Sequence, residues 1–226
     1  MADGDHQDAK KHMSFDDRGG GGVIIGLTGG IATGKSTVSG MLRELGAFIV
    51  DADLWARRVV EPGQPALQEI TVFFGTRILR EDGSLNRPLL ASIIFQNEEA
   101  RLKLNQMIHP RVREGMWEET TAYLTTCPEE SVVWDVPLLF EGETRLLVDV
   151  TLLVYVPVSV QRQRLMARDG LTEAAANARI AAQMSIEEKR TLADYVIDNS
   201  GDLEQTRKQV NELWQTLRTL GHPTGA

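Results

Sequence analysis

A glycine-rich stretch between an apolar segment and a helical pattern constrains this chain more than any other feature. Residues 23–28 are mostly apolar and β-branched, which predicts a short buried strand. Residues 29–36, GGIATGKS, match the phosphate-binding pattern of Gly, four residues, Gly, Lys and Ser or Thr. A helical pattern follows and would end at Gly46; its apolar positions are Val38, Met41, Leu42 and Leu45. The motif therefore lies between a predicted strand and a predicted helix, which is the context that it requires.

The residue types of this motif suit the binding of phosphate groups. Glycines let the backbone bend so that successive N–H groups point at phosphate oxygens, and the following helix adds its positive dipole end. Lys35 can reach the β- and γ-phosphates of a nucleotide, and the Ser36 hydroxyl can bind Mg²⁺. A chance match in a glycine-rich turn is the alternative, and the flanking pattern argues against it. We predict nucleotide contacts from Gly30, Ile31, Ala32, Thr33, Gly34, Lys35, Ser36 and Thr37.

Charge and composition narrow the classes of partner. The 226 residues carry a net charge of −8, which argues against nonspecific nucleic-acid binding. Cys127 is the only cysteine, so no intrachain disulfide can form and a reducing cytoplasm is expected. The sequence has no apolar run near the ~20 residues that span a bilayer, and its N-terminus lacks an apolar signal core. We expect no membrane partner, and a monomer or weak homo-oligomer.

An acidic pair follows the second predicted strand, residues 47–50. The carboxyl ends of parallel strands form the ligand-binding edge of open α/β folds, and Asp51 and Asp53 come directly after this strand. We predict that Asp53 is a general base or a substrate contact. The alternative is that Asp53 only caps the predicted helix at residues 54–60. Asp51 is a weaker candidate for a direct role.

A third predicted strand, residues 131–134, also ends in an acid. Asp135 after an apolar strand, downstream of a phosphate loop, suits a residue that holds Mg²⁺ directly or through water. Capping of a turn is the alternative for Asp135. Glu141 lies in the following loop and is a weaker functional candidate.

The intervening residues 54–129 are mainly helical by pattern, with no strand-and-crossover repeat. They predict a helical insertion between the second and third strands. His109 and Pro110 are predicted to break the long helical stretch that begins at Glu98. A histidine beside a proline is more often structural, and His109 is retained as a possible substrate contact.

Arginines follow the most apolar predicted strand, residues 150–156. Arg164 and Arg168 are four residues apart and so share one face of the next helix, where they could meet transferring phosphates from a lid. The alternative is a solvated charged face that pairs with local acids such as Asp169. The arginine spacing alone leaves both interpretations open.

Several motifs taken together resemble the dephospho-CoA kinase family. The likeness covers most of residues 23–220 in order, and IVDAD with a later PLLFE is far more specific than the phosphate loop alone. The segments that carry it are GLTGGIATGKST, IVDAD with ARRVVEPGQPAL, DGSLNR, IHP, DVPLLFE, RLMARDGLT and VIDNSG.

The resemblance implies ATP-dependent phosphorylation of the ribose 3′-hydroxyl of dephospho-CoA, with Mg²⁺, as the last step of CoA synthesis. It implies that Asp53 is the catalytic carboxylate and that Arg57 helps to bind substrate. It also makes Arg164 and Arg168 lid arginines that contact phosphate, and it places Asn199 in a loop near the adenine.

The implied fold class is α/β, a three-layer P-loop NTPase-type fold with a five-stranded parallel sheet, an inserted helical substrate domain and a helical lid. The expected nucleotide-binding core comprises residues 23–53, 130–157 and 191–226. The expected CoA-substrate domain is 54–129 and the expected lid is 158–190. Residues 1–22 are polar and glycine-rich and are expected to form a disordered tail.

Two other functions are compatible with a phosphate loop. One is a related small-molecule kinase that acts on a nucleotide or nucleoside. The other is a GTPase-like switch that transfers nothing to a metabolite, against which the absence of an Asn-Lys-x-Asp guanine-reading motif counts.

Overall fold

A five-stranded sheet forms the centre of the structure, a computed structural model that describes residues 22–220. The strand order is β2-β3-β1-β4-β5, and β1 pairs in parallel with β3 and β4, as does β4 with β5. All six residues of β1 are buried, as expected for the central strand of a parallel sheet covered on both faces. The predicted α/β class and five-stranded parallel sheet are confirmed. The strands are β1 (Ile24–Gly29), β2 (Phe48–Asp51), β3 (Val132–Asp135), β4 (Val150–Tyr155) and β5 (Tyr195–Asp198).

Helices connect and cover these strands. Within the described residues, two short 3₁₀ helices, Thr76–Ile78 and Glu143–Leu147, add to them. None of the helices within residues 22–220 combines the length and apolar character needed to cross a bilayer. The α-helices are α1 (Lys35–Glu44), α2 (Ala52–Arg58), α3 (Pro65–Phe74), α4 (Arg87–Gln96), α5 (Glu98–Thr126), α6 (Val158–Asp169), α7 (Glu173–Ala181), α8 (Ile186–Leu192) and α9 (Leu203–Thr219).

The described chain divides into two compact units. The first contains the residues up to 49 and those from 123 onward, and the second contains residues 50–122. In the first unit, α1 and α9 bury their apolar faces in one core with the sheet, which fixes where α1 and the loop before it lie. Its members include Ile25, Leu27, Val38, Leu42, Val154, Val210, Trp214 and Leu217.

The N-terminal boundary differs by one residue from the prediction. Gly22 is buried, and its N–H donates to the carbonyl of Pro128 at 3.3 Å, so it belongs to the folded unit. The rest of the predicted tail, like residues 221–226 at the end of the predicted core, lies outside the described residues.

The predicted helix break at His109 and Pro110 is wrong. Helix α5 runs without interruption from Glu98 to Thr126, with Pro110 inside it. A proline removes one helical N–H donor and crowds the preceding turn. Here Nη1 of Arg111 donates to the carbonyl of Met107 at 2.6 Å, so a side chain satisfies a carbonyl in the turn that the proline disturbs. Buried residues on both sides, among them Leu104 and Met116, hold the helix against the second unit's core.

Candidate active site

The phosphate loop, residues 29–36, joins the end of β1 to the start of α1. Ala32 has a φ of 61°, and within residues 22–220 it is the one non-glycine residue with positive φ. This left-handed conformation costs a residue with a side chain ~1–2 kcal/mol. Gly34 has a φ of 88°, and a Cβ there would overlap Nδ2 of Asn199, so glycine is required at this position. Left-handed residues turn successive N–H groups toward one side, which makes an anion-binding concavity.

Hydrogen bonds from inside and outside the loop enforce this shape. The backbone N–H and Oγ1 of Thr33 both donate to the carbonyl of Gly30, at 3.2 and 2.9 Å. From outside, Nδ2 of the buried Asn199 donates to the Thr33 carbonyl at 2.7 Å, and Oδ1 of Asn199 accepts from Thr206 Oγ1 at 2.8 Å. The structure thus places the Asn199 amide against the backbone of the loop. Its predicted contact with the nucleotide stays a prediction.

Lys35 and Asp135, two predicted site residues, lie together. Lys35 is the first residue of α1 and Asp135 the last of β3, and their side chains form a short ion pair. The Lys35 side chain is 20% exposed and that of Asp135 only 7%, so this carboxylate depends on Lys35 for its compensating charge. Phosphate oxygens that attract Lys35 therefore compete with Asp135.

The donor set at this edge fits a hard cation. Ser36 is exposed at the start of α1 and offers a hydroxyl oxygen, and Asp135 offers a carboxylate; oxygen ligands of this kind suit Mg²⁺. No group of three or more His, Cys, Asp or Glu residues in the described part of the chain could hold a metal ion.

In the second unit, Asp51 caps α2. Its side chain accepts a hydrogen bond from the Leu54 N–H at 3.0 Å. Asp53 lies within the first turn of the helix and is exposed. The helix-capping alternative for Asp53 is therefore wrong, because Asp51 does this work.

The two other predicted substrate contacts also lie in the second unit. Arg57 is exposed, four residues after Asp53 on α2, so the two share one helix face. Its backbone carbonyl accepts from Nη2 of Arg87 at 3.2 Å, which ties α2 to α4. His109 is exposed on α5.

The two arginines on α6 differ in their partners. Nη2 of Arg164 donates to the backbone carbonyl of Asn199 at 2.9 Å, beside the phosphate loop. Arg168 instead makes a bidentate pair with Asp169, at 2.7 and 3.1 Å, and Arg179 pairs with the same carboxylate at 2.7 Å. The hydrogen bond from Arg168 lowers the pKa of Asp169, and the nearby charge of Arg179 adds to this effect. Arg168 thus matches the alternative interpretation, an arginine on a solvated face that pairs with a local acid. Arg164 does not match it.

Glu141 pairs with a lysine that the sequence did not single out. Nζ of Lys189 donates to Oε1 of Glu141 at 2.8 Å, and the Lys189 side chain is completely buried. The same Glu141 oxygen accepts from the Met184 N–H at 3.3 Å. Removing Glu141 would leave the buried charge of Lys189 uncompensated, which gives Glu141 a structural role.

Three polar residues that contact the loop or the adjacent Asn199 were missed from the sequence: Gln161, Gln183 and Thr206. Gln161 lies three residues before Arg164 and four before the buried Leu165, so a polar residue on the buried face of α6 was the available signal. Gln183 has no local pattern, because its partner Ile31 is 152 residues away along the chain. Thr206 lies seven residues from Asn199, and no sequence pattern singles it out.

Comparison with known proteins agrees with this geometry. The family model described as dephospho-CoA kinase matches residues 23–205. The chain is 50% identical to the dephospho-CoA kinase of Bacillus cereus strain ATCC 10987 over 191 residues. This match covers 84% of the chain and 95% of that protein. It is 49% identical to the dephospho-CoA kinase of Halalkalibacterium halodurans over 198 residues, 88% of the chain and 98% of that protein.

Solved structures show the same likeness. The crystal structure of TT1252 from Thermus thermophilus has a TM-score of 0.72 at 35% identity, covering 87% of this chain and 98% of that one. A dephospho-CoA kinase from Campylobacter jejuni has a TM-score of 0.67 at 28% identity, covering 87% and 97%. The resemblance inferred from the motifs is confirmed: the chain belongs to the dephospho-CoA kinase family.

Proposed function

We propose how this chain carries out the reaction of its family, the ATP-dependent phosphorylation of dephospho-CoA in the final step of coenzyme A biosynthesis. The acceptor is the ribose 3′-hydroxyl, and the products are CoA and ADP. The observation that carries the proposal is the strained phosphate loop, with Lys35 at its end, in a chain that matches this family over residues 23–205.

The loop binds the β- and γ-phosphates of ATP through its backbone N–H groups and the start of α1. Lys35 leaves Asp135 for the phosphates, because several phosphate charges attract it more strongly than one carboxylate does. Ser36 and Asp135 would hold Mg²⁺, which supplies charge neutralisation for the transferring group when it is bound. Arg164 and Arg168 add positive charge from the proposed lid, residues 158–190.

The second unit supplies the acceptor side of the reaction. Asp53 accepts a hydrogen bond from the ribose hydroxyl, orients it for in-line attack and takes its proton late. Arg57 and His109 contact dephospho-CoA, and the proposed CoA-substrate domain is residues 54–129. Closure of the lid excludes water, which would otherwise hydrolyse ATP.

We also propose a cytoplasmic location and a monomeric or weakly associating protein. The one cysteine in the sequence, Cys127, is a free thiol, which suits a reducing compartment.

An acceptor comparison tests the proposed function. ADP release is measured with ATP and Mg²⁺ in the presence of dephospho-CoA, of nucleoside monophosphates, or of no acceptor, and the product is identified by mass spectrometry. We expect rapid release only with dephospho-CoA, together with the mass of CoA. Faster transfer to a nucleoside monophosphate would favour a related kinase. Slow GTP hydrolysis without an acceptor would favour a switch protein.

A further inference from the structure

Both backbone groups of Ile31, in the phosphate loop, are held by glutamine side chains. The Ile31 N–H donates to Oε1 of Gln183 at 2.9 Å, and the Ile31 carbonyl accepts from Nε2 of Gln161 at 2.8 Å. Gln161 belongs to α6, and Gln183 follows the end of α7. Both lie within the proposed lid, so two lid segments hold one residue of the loop.

We call this pair of contacts from Gln161 and Gln183 the glutamine clamp. Two features that lower the stability of the folded state lie beside it. Gln161 is only 2% exposed, yet its Oε1 has no hydrogen-bond partner among the described residues. Ala32, directly after the clamped residue, has the left-handed conformation. A buried unpaired amide oxygen beside a strained residue reduces stability, and such features concentrate at functional sites.

The neighbouring contacts show what the clamp controls. Asn199 holds the carbonyl of Thr33, so side chains hold the carbonyls on both sides of Ala32. The two peptide groups that flank Ala32 are fixed through the Ile31 carbonyl, held by Gln161, and through the Thr33 N–H, which donates to the Gly30 carbonyl at 3.2 Å. Ala32 therefore has little freedom to relax to a right-handed conformation. The same helix α6 also reaches Asn199 through Arg164, three residues after Gln161 and on the same helix face.

We infer that Gln161 and Gln183 are positioning residues that hold the phosphate loop in its phosphate-binding conformation and couple it to the lid. The inference rests on the proposed function in taking ATP as the nucleotide. Neither glutamine is required to touch the substrate. Without the clamp, Ala32 relaxes, and ATP must restore the loop conformation when it binds, which weakens its affinity.

Methionine substitutions test this inference because they add no polar group; each leaves one backbone group of the partly exposed Ile31 without its side-chain partner. Gln161→Met and Gln183→Met nearly preserve side-chain volume and remove the hydrogen bonds, and Gln163→Met on the exposed side of α6 is the matched control. ATP affinity is measured by calorimetry, and KM for each substrate by ADP release. We expect about tenfold weaker ATP binding for each clamp variant and a change within about twofold for the control.

Two further readouts separate positioning from general stability. The thermal midpoint of Gln161→Met should stay close to that of the wild type, because losing the unpaired buried oxygen offsets losing the hydrogen bond to the Ile31 carbonyl. Adding Ala32→Gly to Gln161→Met should recover most of the lost ATP affinity, since glycine adopts positive φ without strain. KM for dephospho-CoA should stay constant in both clamp variants.

The inference is overturned if Gln161→Met binds ATP as tightly as the wild type, if affinity falls only in step with the thermal midpoint, or if Ala32→Gly restores nothing. Failure of the proposed function looks different. In that case the wild type binds ATP and responds to the clamp variants, but it transfers no phosphoryl group to dephospho-CoA.

Discussion

Asp51 and Asp53 are two residues apart, and their environments separate their roles. The Asp51 side chain holds the Leu54 N–H at the start of α2, whereas Asp53 lies exposed inside the first turn. We expect Asp53→Asn to lower kcat by about 10²–10⁴-fold, because it removes the proposed proton acceptor. ATP affinity should stay nearly unchanged. The measurements are steady-state ADP release and calorimetric ATP binding.

Asp51→Asn is the control for this experiment. Asparagine caps helices about as well as aspartate, so the variant should keep its fold and most of its activity. Near-normal turnover in Asp53→Asn, or an equal loss in both variants, would remove Asp53 from the catalytic role.

The pKa of Asp169 depends on whether Arg168 is paired with it. The hydrogen bond from Arg168 is the largest cause of the lowered pKa of Asp169. If ATP draws Arg168 away, Asp169 loses this partner, and its pKa should rise toward the ordinary value of 3.8. The sign is fixed because a lost cation always favours the protonated carboxyl. The measurement is an NMR titration of the Asp169 carboxyl carbon with and without ATP.

Two variants control the Asp169 titration. Arg168→Gln should raise the pKa of Asp169 in the absence of nucleotide and abolish its response to ATP. Arg162→Gln removes an arginine that pairs with Glu173. This variant should change neither the pKa of Asp169 nor its response to ATP. A response to ATP that survives in Arg168→Gln means that Arg168 does not move to the phosphates.

At the scale of elements, the contact between α2 and α5 depends on one glycine. A Cβ at Gly115 would overlap the indole ring of Trp55, and Trp55 also donates from Nε1 to Glu119 at 2.5 Å. In a helix interior, Gly→Ala ordinarily adds about 1 kcal/mol of stability. Overpacking typically costs about 1–3 kcal/mol. We therefore expect Gly115→Ala to lower the free energy of unfolding by up to about 2 kcal/mol, measured in urea.

Gly40 provides the matched control on α1. A Cβ there would meet no atom within 4 Å, so Gly40→Ala should raise the free energy of unfolding by about 0.5–1 kcal/mol. Equal stabilisation by both alanines would show that the indole moves aside freely. Because Asp53 and Trp55 belong to the same helix, Gly115→Ala should also lower kcat.

The elements also show which local signals the sequence carries. Apolar runs predicted the strands, because burial on both faces of a parallel sheet leaves a continuous apolar stretch. Proline predicted a break in α5 that does not occur, since packing on both sides of Pro110 outweighs one missing hydrogen bond. The capping alternative was considered for Asp53 rather than for Asp51, because helix ends are uncertain by one or two residues in any pattern.

At the scale of the whole molecule, some parts of the site can be predicted from residue spacing in the sequence. Other parts become visible only when the chain is folded. The phosphate loop is contiguous, so its residue types and spacing predicted it. Gln161 and Gln183 reach Ile31 across 130 and 152 residues of chain, and no local pattern encodes such contacts. The pairing of Lys35 with Asp135 spans 100 residues and follows only from the parallel neighbours β1 and β3.

The two compact units should respond to different substrates, which hydrogen exchange can measure. A ligand slows exchange by suppressing openings of the part that binds it, by roughly 100-fold at 100 times its Kd. We expect ATP to protect amides at residues 30–37 and in α6, and dephospho-CoA to protect amides within residues 50–122. Adding each substrate alone to the wild type avoids turnover. Dephospho-CoA protection confined to the first unit would show that the helical unit does not bind the acceptor, whereas protection of α2 and α5 would place Arg57 and His109 within the bound region.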